Sequence, residues 1–586
     1  MTWKKDCYLL PGTIRDAVES QSHSRFNIDN IDRLLLVHPF NGVLDTPGSL
    51  PDSITQLSIS SSRDISIAPG VLPESLLTLE LGQFKRDLLP GILPNSLTNL
   101  NSPKFNQPFI AGALPASLRS LRLDTFDHPI PIGVLPDSLI DLHLSVFDHI
   151  LEPSSLPASL RSLTLGLFNK ELLPGVLPTT LAHLSLGFNF NQCIVAGSLP
   201  DSLTSLHFGN DFNRPFYPGV LPESITYLSF GSAFCQPLLE GVLPSSLTRL
   251  ICQGRPDPGH PWTLPNSLKN LETNYFIPCS LHPSLDNLTV GLDLDDPLTP
   301  GSLPQSLAFF SLVSYSHTLA CDVLPNSLIE LSLNNYDHPL LPGVLPSVFL
   351  TILTLEVFNQ PLTPGCLPES LLELTLGHEF NQELLPGCLP SCLEKLRIGT
   401  SFKKELVPGS LPASLRTLSL SQSYNQPLAS GVLPPLLTEL ILPGSNNQVE
   451  ANALPMGLVI LRTNLRSLVD CMPESAMELS LLTQFNSQSK FKPPKNVRLD
   501  TLSTMIRSRS DVSKLLSTFP NVNTYKLHGH GRGWTIRSLS PRLLLAIVNH
   551  ESYSSPDCSM TYSIGANDGP KLAHTAKVSW SLIKIK

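Results

Sequence analysis

Residues 358–377 read FNQPLTPGCLPESLLELTLG, and residues 380–399 read FNQELLPGCLPSCLEKLRIG. The end of the first stretch, Leu371, Leu374, Leu376 and Gly377, alternates with period two, which suits a short strand with one face buried. Pro364-Gly365 is a turn signal. Leu367-Pro368 keeps the chain extended, because a residue that precedes proline avoids the helical region. A strand, a turn and a proline-rich return leave no room for a proper helix in a repeat this short. One such repeat cannot bury its apolar face alone. Stacked copies can, and the product is a solenoid.

The Leu-Pro step recurs from Leu50-Pro51 to Leu454-Pro455 and closes at Met472-Pro473, giving about 21 repeats. They are spaced 21 or 22 residues apart, except for two short intervals of 17 and 18. Of 586 residues, 56 are proline, 41% are hydrophobic and 15% are charged. This is too apolar for a disordered chain. Proline at this density also argues against helical bundles and Rossmann-type folds. The expected fold is a mainly β, leucine-rich-repeat-like parallel β solenoid with a small α+β cap at its C-terminal end. At ~4.8 Å per strand step, a straight stack would be on the order of 100 Å long.

With leucines at positions one, four and six of its strand segment, the repeat is similar to the leucine-rich repeat. More closely it resembles the FNIP-repeat family, whose form is FNxPLxPGxLPxSLxxLxLG, over about residues 40–489. The resemblance implies a parallel strand stack. Some members of that family carry an F-box, which implies substrate recognition for a ubiquitin ligase. The 30 or so residues before the first strand-like segment are too short for a usual F-box, so that activity is kept only as an alternative.

The repeated polar residues read as scaffold. An aromatic stands nine residues before most Leu-Pro leucines, as at Phe105, Phe126, Phe212 and Phe358, with Tyr336 and Tyr424 as replacements. A stacked aromatic spine is expected. The next residue is Asn or Asp, as at Asn106, Asp127, Asp148, Asn359 and Asn381. A calcium ladder would need a different spacing, so these side chains are expected to satisfy backbone groups at the turn. The serine of LPxSL, such as Ser75 or Ser370, recurs too often to be a nucleophile. Cys366 and Cys388 share one repeat position and read as stacked core residues.

Information must then lie where repeats differ. The non-leucine strand positions should point to one outer face. His143, His183, His207 and Tyr227 fall there, as do Lys395 and Arg397, and these six are the candidate partner-binding residues. The histidines also raise a metal patch as a possible reading. No catalytic constellation, cofactor motif or metal-ligand spacing stands out. The expectation is a non-enzymatic protein-interaction scaffold with no cofactor, its protein partners unknown. The alternative is a substrate-recognition subunit of a regulatory complex.

The ends differ from the middle. Residues 1–30 are a capping segment or a decayed repeat: either a short helix carrying Trp3, Leu9 and Ile14 that caps the stack, or a decayed unit of which Leu9-Leu10-Pro11-Gly12 is the remnant. The solenoid is expected over 31–489. Residues 490–586 hold 15 Lys and Arg against 5 Asp and Glu, a net +10 that leaves −19 for the rest of the chain. This basic region is expected to cap the stack, with an amphipathic helix over Thr501–Phe519 and strands at Thr524–His528 and Leu543–Val548. His528-Gly529-His530-Gly531-Arg532-Gly533 reads as a hairpin. Nucleic acid is an unlikely partner except through this basic region. With 11 Cys but no CxxC pair, no apolar leader at Met1–Cys7 and no long apolar run, the expectation is an intracellular, cytoplasmic protein without a transmembrane segment.

Overall fold

A computed structural model describes residues 32–529 apart from short breaks at 38–43, 61–63, 65, 256–261, 277–280, 293, 295, 445–447, 451, 486–489 and 507–508. It also describes the backbone of strands at 6–9, 532–540, 543–549 and 558–563. The chain divides into two compact units, Met1–Leu285 and Asp286–Lys586.

In the first unit, each repeat forms one coil with one short strand. Ser162–Leu165, His183–Leu186, Ser205–Phe208 and Tyr227–Phe230 are four successive examples. Each pairs in parallel with the next, and Leu163, Leu184, Leu206 and Leu228 stand in register. The leucines are buried and the residues between them are mostly turned outward. Parallel pairing follows from the connectivity, since every strand is reached by a full circuit of the coil. In the second unit the same stacking runs from Asn287–Val290 to Val522–Gly529.

The corners explain the rest of the repeat. Gly365 adopts φ 82°, a left-handed conformation that side chains resist. Further round the coil, the Leu371 N–H donates to the Pro368 carbonyl at 3.1 Å, closing the turn that carries Ser370. Glycine after a strand has another cause. A Cβ on Gly187 would lie 1.8 Å from the Gly166 carbonyl oxygen, so the coils could not close to their observed spacing.

The aromatic spine is present. Rings Phe84, Phe105, Phe126, Phe147, Phe168, Phe190, Phe212 and Phe234 stack in sequence with centroids 5.9–6.5 Å apart. Phe208, Phe216 and Phe230 join it locally, with Phe208 4.1 Å from Phe212. In the second unit, Phe358, Phe380, Phe402 and Tyr424 form a similar column. Where tyrosine replaces phenylalanine at Tyr315, its oxygen accepts from the Leu298 N–H at 3.1 Å. Cys366 and Cys388 are buried core residues in adjacent coils. Burial pushes the Cys388 thiol up to about 11, so it stays protonated and unreactive at neutral pH.

Two local expectations are corrected at the ends. Asp6–Leu9 is a strand paired in parallel with Arg33–Val37, so Leu9 does not belong to a helix. Trp3, Leu10–Gly12 and Ile14 lie outside the described residues. Within Thr501–Phe519, the first part is not helical. Leu502 and Met505 lie on the strand Leu499–Met505, and the helix is Arg509–Thr518. Parallel pairing on both sides outweighs the helical spacing of those apolar residues. The strand Val522–Gly529 then pairs antiparallel with Arg532–Ser540, with Gly529 opposite Arg532, as a hairpin requires. Leu543–Asn549 and Cys558–Ser563 extend that antiparallel sheet. Among the described residues, no helix is long and apolar enough to cross a membrane.

Candidate partner-binding surface

The repeated polar side chains are used up between coils. Asn106 Oδ1 accepts the Asp127 N–H at 2.9 Å, Asp148 Oδ1 accepts the Asn169 N–H at 2.8 Å, and Asn169 Oδ1 accepts the Asn191 N–H at 3.0 Å. In the second unit, Asn359 Oδ1 accepts the Asn381 N–H at 2.9 Å. Each residue of the ladder thus caps a corner N–H of the following coil. The serines run the other way: Ser75 donates to the Ile54 carbonyl at 2.6 Å and Ser370 to the Leu350 carbonyl at 2.8 Å. Where the ladder residue is Asp148, Lys170 Nζ sits 2.7 Å from its second oxygen and balances the charge.

The strand face is where side chains remain available. His143, His207 and Arg397 occupy the third position of their strands, and His183, Tyr227 and Lys395 the first. His183, His207 and Tyr227 therefore come from three successive strands, in two alternating rows, rather than meeting at one point. His143 stands two strands before His183. The histidines do not converge on an ion, and among the described residues no group of three His, Cys, Asp or Glu has metal-holding geometry. Lys395 and Arg397 lie in the second unit on Lys395–Ile398, where Lys395 pairs with Glu373 across the strand step.

His143 has the most elaborate surroundings of the six. Its Nε2 is 3.0 Å from Ser145 Oγ, which donates to Asp124 Oδ1 at 3.0 Å. Arg122 Nε lies 3.2 Å from the same carboxylate oxygen. Burial, helped by the Arg122 guanidinium, holds the His143 imidazole below the ordinary histidine value, while Asp124 and Asp141 oppose that shift. Burial alone lowers His207.

Tyr227 is not an isolated ring. The Arg249 guanidinium lies 5.7 Å from its centroid, in the opposing first position of the next strand. Arg249 also approaches Glu272 at 4.0 Å. The sequence alone does not announce this aromatic–cation pair, because the strand Arg249–Cys252 departs from the LxLxLG pattern. The signal was the 22-residue offset from Tyr227, which places both residues in one row. Arg119 and Arg161 each immediately precede a strand rather than lying in it, so the strand pattern does not mark them. Both are exposed.

A family model described as FNIP Repeat matches residues 46–84, 84–125, 126–167, 168–211, 212–251, 315–356, 358–401, 380–423, 402–445 and 424–463. No curated protein matches the chain. Among solved structures it is similar to CroV588, a novel circular LRR protein, with 30% identity and a TM-score of 0.65, covering 85% of this chain and 79% of that one. A more distant likeness is to the Toll–Spatzle complex of Drosophila, at 12% identity and a TM-score of 0.35, with coverage of 86% and 82%. Another is to an internalin, InlF, of Listeria monocytogenes, at 15% identity and a TM-score of 0.20, with coverage of 63% and 80%. With its corner ladders, strand stack and repeat all of one kind, the chain belongs to the FNIP-repeat family, a leucine-rich-repeat-like group of parallel β solenoids.

Proposed function

We propose that this protein is a non-enzymatic interaction scaffold whose strand face holds a protein partner. The carrying observation is a division of labour. Polar side chains that recur from coil to coil bond to the neighbouring coil, as Asn359 and Ser370 do. Those that vary, such as His183, His207 and Tyr227, stand on the outward strand positions. Recognition then works by shape and by many modest contacts, with Tyr227 and Arg249 as the anchor, since Tyr and Arg dominate binding hot spots. The recurring serines serve as backbone donors, which leaves no role for them as nucleophiles.

Site-specific photocrosslinking in cell extract tests this reading. A photoreactive residue placed at Tyr227, on the strand face, should trap a discrete protein. The same residue at Tyr217, exposed at the turn edge, serves as the control. Capture at Tyr217 alone would move recognition off the strand face and overturn the reading.

A further inference from the structure

We propose that the strand face of the first unit, from Ser120–Leu123 to Asn270–Thr273, takes an acidic, extended protein segment. The proposal deepens the scaffold reading and rests on it. Its basis is a local inversion of charge. The whole chain carries a formal net charge of −9. Yet on these strands and at the residues immediately before them, the exposed ionic side chains are Arg119, Arg122, Arg161, Arg249 and Lys269 against Glu272. Arg119 and Arg161 make no ion pair among the described residues. Arg249 is exposed over Tyr227.

The carboxylates on the strand face itself are already engaged. Asp124 is held by Arg122 and Ser145, Asp141 accepts from Ser120 Oγ at 3.1 Å, and Glu272 faces Arg249. With Arg122 and Arg249 in those pairs, the guanidiniums that the surface offers outward without an ion pair are those of Arg119 and Arg161, beside hydroxyl donors. Ser162, Ser185 and Ser205 floor the middle with short side chains that let a peptide backbone come close. Guanidinium groups pair carboxylates in bidentate fashion. Seven strand steps of ~4.8 Å make a track about 34 Å long, which an extended segment of about 10 residues would span. The strand face of the second unit pairs more of its cations, although Arg397 is exposed and makes no ion pair among the described residues. Lys395, Arg416 and Arg462 each lie beside a glutamate of the preceding coil, Glu373, Glu394 and Glu439. Those cations are neutralised within the fold.

The test is fluorescence anisotropy with the full chain and a labelled peptide of about 10 residues alternating Glu and Gly, matched to that track length. Binding is expected, weakening as salt rises. The double variant Arg119→Glu/Arg161→Glu should lose at least about tenfold in affinity, equivalent to ~1.4 kcal/mol. Arg249→Glu, on a separate strand, should also weaken binding. Unchanged thermal melting would show that these exposed substitutions leave the fold intact. No binding, or unchanged affinity in both variants, overturns the proposal; the latter would place acid binding on the basic region at 490–586. Tighter binding of a single-stranded oligonucleotide or a phosphoserine peptide, lost in the same variants, would also overturn it by naming another partner class. Photocapture at Tyr227 without acidic-peptide binding would leave the scaffold reading standing and remove only this one.

Discussion

The corner and the strand face of each coil are made from the same chain a few residues apart, yet they follow opposite rules. At the corner, Asn169, Asn191 and Asn213 repeat one residue and one bond, each accepting from the backbone of the next coil. On the strands of the corresponding coils, Ser162, His183, Ser205 and Tyr227 share a row and little chemistry. Repetition marks groups that hold coils together. Variation marks groups free to meet something else. The contrast is a physical criterion, since it rests on where polar atoms find partners.

The sharpest way to break this contrast is at the spine. Phe212 is fully buried against Phe190, Phe208 and Phe234. Phe212→Ala should cost about 3–5 kcal/mol by chemical denaturation, and an unchanged midpoint would show that the spine is not structural. The ladder comes next. Asn359→Leu removes the acceptor for the Asn381 N–H and should cost about 1–2 kcal/mol. Asn359→Asp keeps that acceptor, as Asp127 and Asp148 do in the same position, and should be much milder. Equal losses for the two variants would mean that the bond is unimportant and only side-chain size counts.

A smaller effect concerns pH. His143 and His207 titrate below the ordinary value of 6.5 in the folded state. As pH falls, the unfolded chain binds the proton first. Their neutral forms thus favour folding above about 6.5, and stability declines on acidification from there towards the folded-state values. Replacing both by Asn should flatten stability against pH across that window. An unaltered slope in the double variant would assign the pH dependence to other groups. Smallest of all should be Tyr227→Ala. It should change stability by less than about 0.5 kcal/mol while abolishing capture by a photoreactive residue placed at Ser205, opposite it on the neighbouring strand. A large loss of stability there would erase the distinction between corner and face.

Much of the architecture was legible because the determinants are local and repeated. Leu374 and Leu376 announce a strand, Pro364-Gly365 a turn, and Phe358 a stacked ring, and all three occur as read. Leu502 and Met505 misled because their spacing fits a helix, and only neighbouring strands on both sides reveal that the segment is extended. The surface was less legible. Tyr227 stood out as an aromatic among Ser and Thr, but its partner Arg249 belongs to the next coil, where the repeat pattern lapses. The second-unit pair Lys395–Glu373 shows the same limit, since a charge read along one coil gives no hint that the coil before it supplies the counter-charge.

The asparagine ladder also has a direction. Along the run from Asn106 to Asp127 to Asp148 to Asn169, each Oδ1 reaches forward to the next coil. A gene that loses or gains one whole repeat inside such a run joins an acceptor to a corner amide of the same kind, so the seam closes without a mismatch. A cut that falls within a repeat leaves an amide uncapped and a ring without its neighbour. The bond pattern thus favours inheritance by whole coils. It lets length drift under duplication while the strand face, which carries none of these bonds, is free to diversify at every copy.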